Sequence, residues 1–376
     1  MKKIVAIVQP TTSCNLNCKY CYIDENNSRK FMDKKTLENI IKKFAILKKN
    51  YDVNTHFLWH GGEPLLPGMD FYRDVISLQN KYYAQLKGVS NSIQTNLTLL
   101  NEKFLNFLVQ NKIDVGFSLD GPKEINDSAR VFKNGKGTFD KIMENVALMK
   151  EKNLKLRAIA VLNKKSINKL VELYSFFKTN EISFKVHPLV YAGRFKQNEE
   201  ELEISQEDYG DALIKLFDVW FNDKEYKINI EPLYQYLGNL ITGKPRECST
   251  LFSCQERFIS IDPEGNVYPC GRFSSISEFC YGNINQEPIE KILSSPIRRK
   301  LLERNSDSIK DCQICKYKKI CNGGCMNNAY NAGNIFGKDD YCSAYKKIFE
   351  YLSSTLKKFP QLKQLKINEN LESVFL

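Results

Sequence analysis

Strand-like stretches in the first half of the chain, several of them nearly unbroken hydrophobic runs, alternate with amphipathic stretches. The strand-like stretches cover residues 4–9, 56–59, 90–95, 114–119, 155–162 and 183–189. Consecutive apolar positions are the mark of strands buried on both faces of a parallel sheet. Between the runs, Leu37, Ile40, Ile41, Phe44 and Leu47 repeat at helical spacing, with Asp33 placed as an N-cap. Phe104, Leu105, Phe107 and Leu108 mark another helix. Phe139, Ile142, Val146 and Met149 mark the next, and Leu170, Leu173, Tyr174 and Phe177 one more. Six β-α repeats predict an α/β fold, a partial, TIM-like (β/α)6 barrel.

The alternation stops at a charged stretch, residues 197–207. A helical connector follows, with Tyr209, Leu213, Leu216, Phe217 and Trp220 on one face. From Cys248 the character changes, because nine of the twelve cysteines lie between Cys248 and Cys342. Residues 258–270 read as a hairpin turning at Pro263-Glu264-Gly265-Asn266. The rest is rich in Gly, Asn and Cys and would have only a small core without metal. A last amphipathic helix is expected over residues 341–356. The predicted organisation is a barrel core at 1–195, a helical connector at 196–247, a small Cys-rich domain at 248–345 and a C-terminal helix and tail at 346–376.

Composition narrows the class. Of 376 residues, 42% are hydrophobic and 26% charged, enough for a sizeable core in a globular protein. No apolar run reaches the roughly 18 residues of a membrane span. The N-terminal MKKIVAIVQP faintly imitates a signal peptide, but its apolar run ends at Val8 and no small-residue cleavage site follows. A cytoplasmic location is expected. The net charge of +11 would suit an acidic partner or nucleic acid. Its lysines are scattered, as in Lys42-Lys43 and Lys48-Lys49, with no basic block interleaved with aromatics, so no nucleic-acid partner is expected. Clustered cysteines without an export signal point to metal rather than to disulfides.

Cys14, Cys18 and Cys21 form a C-x3-C-x2-C motif directly after the first strand. Three soft thiolates on one short loop suit three irons of a [4Fe–4S] cluster and leave the fourth iron open for a small molecule. The alternatives are a zinc loop and three buried thiols; a structural zinc would want a fourth ligand, and the next cysteine is Cys248. This motif, with aromatic Tyr20 before its last cysteine, resembles the radical S-adenosylmethionine (radical SAM) superfamily over about residues 3 to 345. The resemblance implies that S-adenosylmethionine chelates the open iron and is cleaved to a 5'-deoxyadenosyl radical that abstracts hydrogen from a C–H bond. Tyr20 would pack near the adenine.

Other motifs sit at strand ends, where parallel barrels place their active sites. Gly61-Gly62-Glu63-Pro64 matches the superfamily's GGEP element, whose backbone meets the cofactor's amino group. Gln94-Thr95-Asn96 resembles its QTN element. Ser118, Asp120 and Arg130 stand in a region that in relatives holds ribose and carboxylate, a task suited to a guanidinium fork. Each has an ordinary reading too: Gly-Gly-Glu-Pro as a turn, Gln94 and Asn96 as helix caps, Ser118 and Asp120 as a turn. His187 reads as a packed histidine, and His60 beside the glycines has no assigned role.

Eight C-terminal cysteines suffice for two fully ligated clusters, or for two zinc sites of similar spacing. Their pattern resembles the SPASM extension of peptide-modifying radical enzymes. The resemblance implies a crossed arrangement, with Cys248, Cys254, Cys270 and Cys325 on auxiliary cluster I and Cys312, Cys315, Cys321 and Cys342 on auxiliary cluster II. Cys280 is left over. The layout is similar to that of anaerobic sulfatase-maturing enzymes, which oxidise Cys or Ser to formylglycine. That group carries an Asp base just after the hairpin cysteine, where this chain has Gly271, with Glu278 as a nearby substitute. Trp59-His60 and Gly271-Arg272-Phe273 look more like maturases of ribosomal peptides. The leading expectation is therefore oxidative cross-linking, by thioether or carbon–carbon bonds, of a precursor peptide, with a flavodoxin or ferredoxin as electron donor. Leader recognition would fall to the barrel, to residues 190–247 or to a separate protein. Formylglycine formation is the alternative, and a non-catalytic iron–sulfur electron carrier or scaffold the alternative of another class.

Overall fold

The computed structural model describes residues 2–23, 30–225 and 227–361. Strands β1 (Lys2–Val8), β2 (Val53–Trp59), β3 (Val89–Thr95), β4 (Ile113–Ser118), β5 (Arg157–Val161) and β6 (Ser183–His187) run parallel, each beside the next. Helices α1 (Lys34–Tyr51), α2 (Met69–Tyr83), α3 (Glu102–Gln110), α4 (Lys123–Ala129), α5 (Phe139–Glu151) and α6 (Leu170–Thr179) lie between them in the chain. The (β/α)6 expectation holds to within a few residues per element. Asp33 caps α1 by accepting the Thr36 N–H at 2.7 Å, and Leu37, Ile40, Ile41, Phe44 and Leu47 are all buried. Phe44, Phe57, Trp59 and Tyr72 form a continuous aromatic layer between α1, β2 and α2. Each such burial contributes on the order of 1.5–3 kcal/mol.

The sheet does not stop at six strands. Its order is β10-β9-β8-β1-β2-β3-β4-β5-β6-β7, with β7 (Ile230–Glu231) beyond β6 and β8 (Phe258–Ile261) parallel to β1. β9 (Asn266–Tyr268) closes the expected hairpin, and β10 (Gly282–Asn283) follows. Thus the hairpin counted with the Cys-rich segment continues the barrel's own sheet. The physical reason lies in Phe258-Ile259-Ser260-Ile261: all four are buried, so the strand needs cover on both faces. Phe258 finds it against Val5, Ile7 and Leu58. The hairpin turn is held by Asp262, whose carboxylate accepts the N–H groups of Glu264 and Asn266 at 2.9 Å each, and Gly265 supplies the required φ of +86°.

The connector helix Gln206–Phe221 starts at a Ser205/Asp208 capping box. It packs on the terminal helix Cys342–Lys358 through Phe217 against Tyr351, whose hydroxyl donates to Asp218 at 2.6 Å. Tyr236 of the helix Leu233–Thr242 packs on Tyr345 and Phe349 of the same terminal helix. This docking brings Cys342, the first residue of that helix, back to the other cysteines. The expected tail beyond residue 361 lies outside the described residues. Among the described residues no helix is long and apolar enough to cross a membrane.

Candidate functional site

Cys14, Cys18 and Cys21 sit on the loop that leaves β1, and each is within electrostatic reach of another of the three. The loop is laced on one side to the segment after β2: Gly62 N–H donates to Thr11 at 3.0 Å, and Glu63 N–H to Ser13 at 2.8 Å. Both glycines are needed for this approach. A Cβ on Gly62 would lie 2.1 Å from the Ser13 carbonyl oxygen, and Gly61 has φ +107° with the Thr11 oxygen 2.6 Å from its missing Cβ. On the other side, Asn17 and Lys19 donate to the carbonyls of Val131 and Ala129.

The predicted strand-end residues converge around this loop. Glu63 accepts from Thr95 Oγ1 (2.7 Å), Asn96 N (2.8 Å) and Leu65 N (2.9 Å). Burial still pushes its carboxyl up to about 7, against the pull of those donors. Asn96 Nδ2 donates to Asn15 at 2.8 Å and lies 3.7 Å from the Cys14 sulfur. Gln94 Nε2 reaches Ser118 Oγ at 3.4 Å. Asp120 is fully buried. It accepts from the Tyr20 hydroxyl, pairs with Arg130 Nε at 3.2 Å and takes the Val161 N–H at 3.0 Å. The Arg130 guanidinium lies over the Tyr20 ring, 5.4 Å from its centre. Burial opposes Arg130's charge, but Asp120, Tyr20 and Cys18 together hold its pKa above the ordinary value.

Burial pushes the thiols of Cys14 and Cys18 up to about 11 and raises that of Cys21. As free thiols they are therefore neutral, and metal binding would release their protons. Arg130 and Arg194 pull in the opposite direction at Cys18 and Cys21. Positive charge around a half-buried three-thiol loop fits an anionic iron–sulfur cluster.

The C-terminal cysteines separate into two groups. Cys254 is within electrostatic reach of Cys325 and Cys270, and Cys248 of Cys254 and Cys325. Cys312, Cys315, Cys321 and Cys342 line one cavity. The crossed pattern expects the same two groupings, and each brings four cysteines into one neighbourhood. Among the described residues no three His, Cys, Asp or Glu side chains are arranged to hold a single metal ion. Cys280 stands apart, with its thiol 3.5 Å from the Gly282 carbonyl oxygen.

Several positioning residues escaped the sequence reading. Arg194 follows β6 and clamps the first loop, donating through its backbone to Cys21 (2.9 Å) and through Nη1 to the Cys18 carbonyl (3.2 Å). Its place beyond a strand end was the available signal. Lys185 on β6 and Glu247 form a buried ion pair at 3.0 Å, and Glu247 also accepts the Cys248 N–H at 2.6 Å. Asp339, 1% exposed, accepts the N–H groups of Cys325 (2.6 Å) and Tyr341 (2.8 Å). Burial pushes His60 down to about 4 and takes His187 well below its usual range, with Lys185 and Arg272 adding to the latter, so both imidazoles are neutral. Glu278 accepts from the Tyr330 hydroxyl at 3.0 Å and is solvent-exposed. The atoms nearest Gly271's missing Cβ come instead from Ile7, Tyr22 and Gln9.

Comparison with known proteins agrees with this geometry. The radical SAM superfamily matches residues 8–177, and the iron–sulfur cluster-binding SPASM domain matches residues 248–316. A cysteine-type anaerobic sulfatase-maturating enzyme of Clostridium novyi is 31% identical over 361 residues, covering 93% of this chain and 95% of the relative. A serine-type enzyme of Bacteroides thetaiotaomicron is 28% identical over 377 residues, covering 94% and 90%. The solved structure of native anSMEcpe with bound AdoMet and Cp18Cys peptide superposes with a TM-score of 0.82 at 27% identity, covering 94% of this chain and 98% of that one. The chain belongs to the radical SAM superfamily, as a SPASM-domain enzyme that acts on a peptide or protein with S-adenosylmethionine and [4Fe–4S] clusters, in the family of the anaerobic sulfatase-maturating enzymes.

Proposed function

We propose that this enzyme oxidises a cysteine of a peptide or protein substrate to formylglycine. Similarity to the cysteine-type enzyme of Clostridium novyi along nearly the whole of both chains carries this reading. It moves the alternative of the sequence reading ahead of peptide cross-linking. Cys14, Cys18 and Cys21 would hold the cluster that binds S-adenosylmethionine, beside the Gly61–Gly62 backbone, Gln94, Asn96, Ser118 and the Tyr20–Asp120–Arg130 group. When bound, that cofactor supplies a 5'-deoxyadenosyl radical. The two four-cysteine sets would hold the auxiliary clusters, and a flavodoxin or ferredoxin would supply the electron that starts each turnover.

In this reading the substrate's Cβ loses a hydrogen atom, its thiol a proton, and one electron passes to the auxiliary clusters. A carbon–sulfur double bond results. Water then replaces sulfur with oxygen, releasing hydrogen sulfide and leaving the aldehyde. Gly271 bears on the choice between cysteine and serine. A thiol with a pKa near 8.5 gives up its proton without a dedicated carboxylate, whereas a serine hydroxyl needs a positioned base. Gly271 supplies none, which favours a thiol substrate.

The same glycine favours a second reading, oxidative cross-linking, because it departs from the maturase pattern. One experiment separates the two. Reconstituted enzyme, S-adenosylmethionine, a reductant and a cysteine-type sulfatase peptide should yield an aldehyde captured by a hydrazide probe, with sulfur lost. A product that has lost two hydrogens but kept its sulfur would overturn formylglycine formation in favour of cross-linking.

A further inference from the structure

The turn Gly271–Phe273 follows Cys270 directly. It aims the N–H groups of Arg272 and Phe273 at the Cys270 sulfur. The half-buried Arg272 side chain then crosses to the helix Met326–Asn331, which has Cys325 as its N-cap. Its Nη1 donates to Asn328 at 3.2 Å, and Asn327 Nδ2 donates back to the Arg272 carbonyl at 3.2 Å. Both asparagines are buried. Arg272 is thus strapped between two cysteines of one set. The other cations near that set are matched: Lys185 pairs with Glu247 at 3.0 Å, and Arg304 faces Asp339. Arg272 forms no ion pair with an Asp or Glu among the described residues. Burial works against its charge, and the groups that hold it on are Cys325, Cys270, Tyr22 and Cys248. The second set is different. Around Cys312, Cys321 and Cys342 stand Arg304 and the exposed Lys338 and Lys346, set against Asp311 and Asp339.

We propose that Arg272 is the counter-ion of the cluster that Cys248, Cys254, Cys270 and Cys325 would hold, and that its charge raises that cluster's reduction potential. Four thiolates make such a cluster anionic, and reduction adds a further negative charge. A fixed cation strapped beside it therefore favours the reduced form, and so do N–H groups aimed at a ligand sulfur. Arginine suits the task because it keeps its charge at any working pH. The inference rests on the reading that the substrate radical passes one electron to an auxiliary cluster, whichever product follows. The electron the substrate loses is the one the cluster gains, and Arg272 makes that transfer more favourable at this set than at the other. It is a positioning residue: it acts through the cluster and touches no reacting atom.

The test is a potentiometric titration of the reconstituted holoenzyme followed by electron paramagnetic resonance. S-adenosylmethionine is present, to shift the first cluster's signal away from those of the auxiliary clusters. Arg272→Gln, which can still donate to Asn328, should lower one auxiliary midpoint and leave the other where it was. The expected fall is on the order of a tenfold change in the reduction equilibrium, about 59 mV for one electron. Arg272→Lys, which keeps the charge, should restore most of it. An unmoved midpoint in Arg272→Gln overturns the proposal, as does an equal fall in both variants. Should Arg272→Gln fail to retain the iron of that cluster, retention by Arg272→Lys supports the counter-ion, and loss in both overturns it in favour of a packing role. No substrate is present, so the result does not depend on the product. Zinc in place of iron at these four cysteines would instead break the cluster reading itself, and Arg272's role with it.

Discussion

The two cysteine regions are held in place by different means. The loop bearing Cys14, Cys18 and Cys21 is fastened by backbone: Gly62 and Glu63 donate to Thr11 and Ser13, and Asn17 and Lys19 donate to Val131 just after α4 and to Ala129 at its end. Those anchors are themselves fixed by parallel strands over a dense aromatic core. Of the C-terminal eight, Cys270 follows the β8–β9 hairpin and Cys342 opens the terminal helix, and the other six sit on loops and short turns. They are positioned by isolated buried polar groups, such as Glu247 at Cys248, Asp339 at Cys325 and Arg304 across the carbonyls of Gly323, Gly324 and Gly337. Where a sheet supplies the scaffold, the metal can be an addition to a site already formed. Where loops and single polar contacts supply it, the metal is part of the fold.

The largest effect should come from removing iron. Chelation under anaerobic conditions is expected to collapse amide protection across residues 312–342 while β1 to β6 keep theirs, as measured by hydrogen exchange with mass spectrometry. Equal loss in both regions would break the contrast. Next is Gly62→Ala. Its Cβ would fall 2.1 Å from the Ser13 carbonyl oxygen, so the first loop must move. Reductive cleavage of S-adenosylmethionine should be lost along with the iron of one cluster, with the iron of the other two retained. Total loss of iron would show that the regions are not independent.

Glu247→Ala should follow in size. It takes from Lys185, 1% exposed, the nearer of two carboxylates, the one at 3.0 Å, leaving Glu231 to face it, and it removes the acceptor for the Cys248 N–H. Breaking a buried pair from one side costs about 3–5 kcal/mol, readable as a lower denaturation midpoint. The double variant Lys185→Met/Glu247→Leu should recover part of that loss, because neither member of the pair is then left charged alone, while the buried Glu231 beside them still loses its facing lysine.

The same contrast explains what the sequence disclosed. Gly61-Gly62, Ser118 and Asp120 were legible because they follow strand-like runs, and Gln94 and Asn96 because Gln94-Thr95-Asn96 resembles a superfamily element although its strand, Ser90-Asn91-Ser92-Ile93, is mostly polar. The parallel pairing of β8 with β1 was not, since it joins residues some 250 positions apart by a register that no local pattern carries. Asp339 and Arg194 were hidden for a related reason. Each is one polar residue in an ordinary string, and its burial follows only from how distant segments pack. Lys185 was missed too, although a charge within the buried run Phe184-Lys185-Val186 was a signal that it needed a partner. The local hairpin 258–270 was legible, but its attachment to the barrel was not, and that attachment brings Cys270 beside the sheet.

Gly271 lies where the two regions meet, and its replacement should disturb the fold least. Its missing Cβ has nothing closer than 3.8 Å, from Ile7 Cγ2 and the Tyr22 hydroxyl, with Gln9 Nε2 at 3.9 Å. Those are ordinary contact distances, so neither packing nor backbone conformation demands glycine there. Gly271→Asp should leave stability within about 0.5 kcal/mol and leave the iron content of all three clusters unchanged. Its effect should appear in the substrate. A carboxylate at this position can accept a proton from a serine hydroxyl, so the variant should oxidise a serine-containing peptide that the unaltered enzyme leaves intact, while its rate on the cysteine peptide changes little. Aldehyde capture on matched Ser and Cys peptides measures both. Serine oxidation by the unaltered enzyme would show that another group already serves as base and that the open space at Gly271 does not set the choice between thiol and hydroxyl.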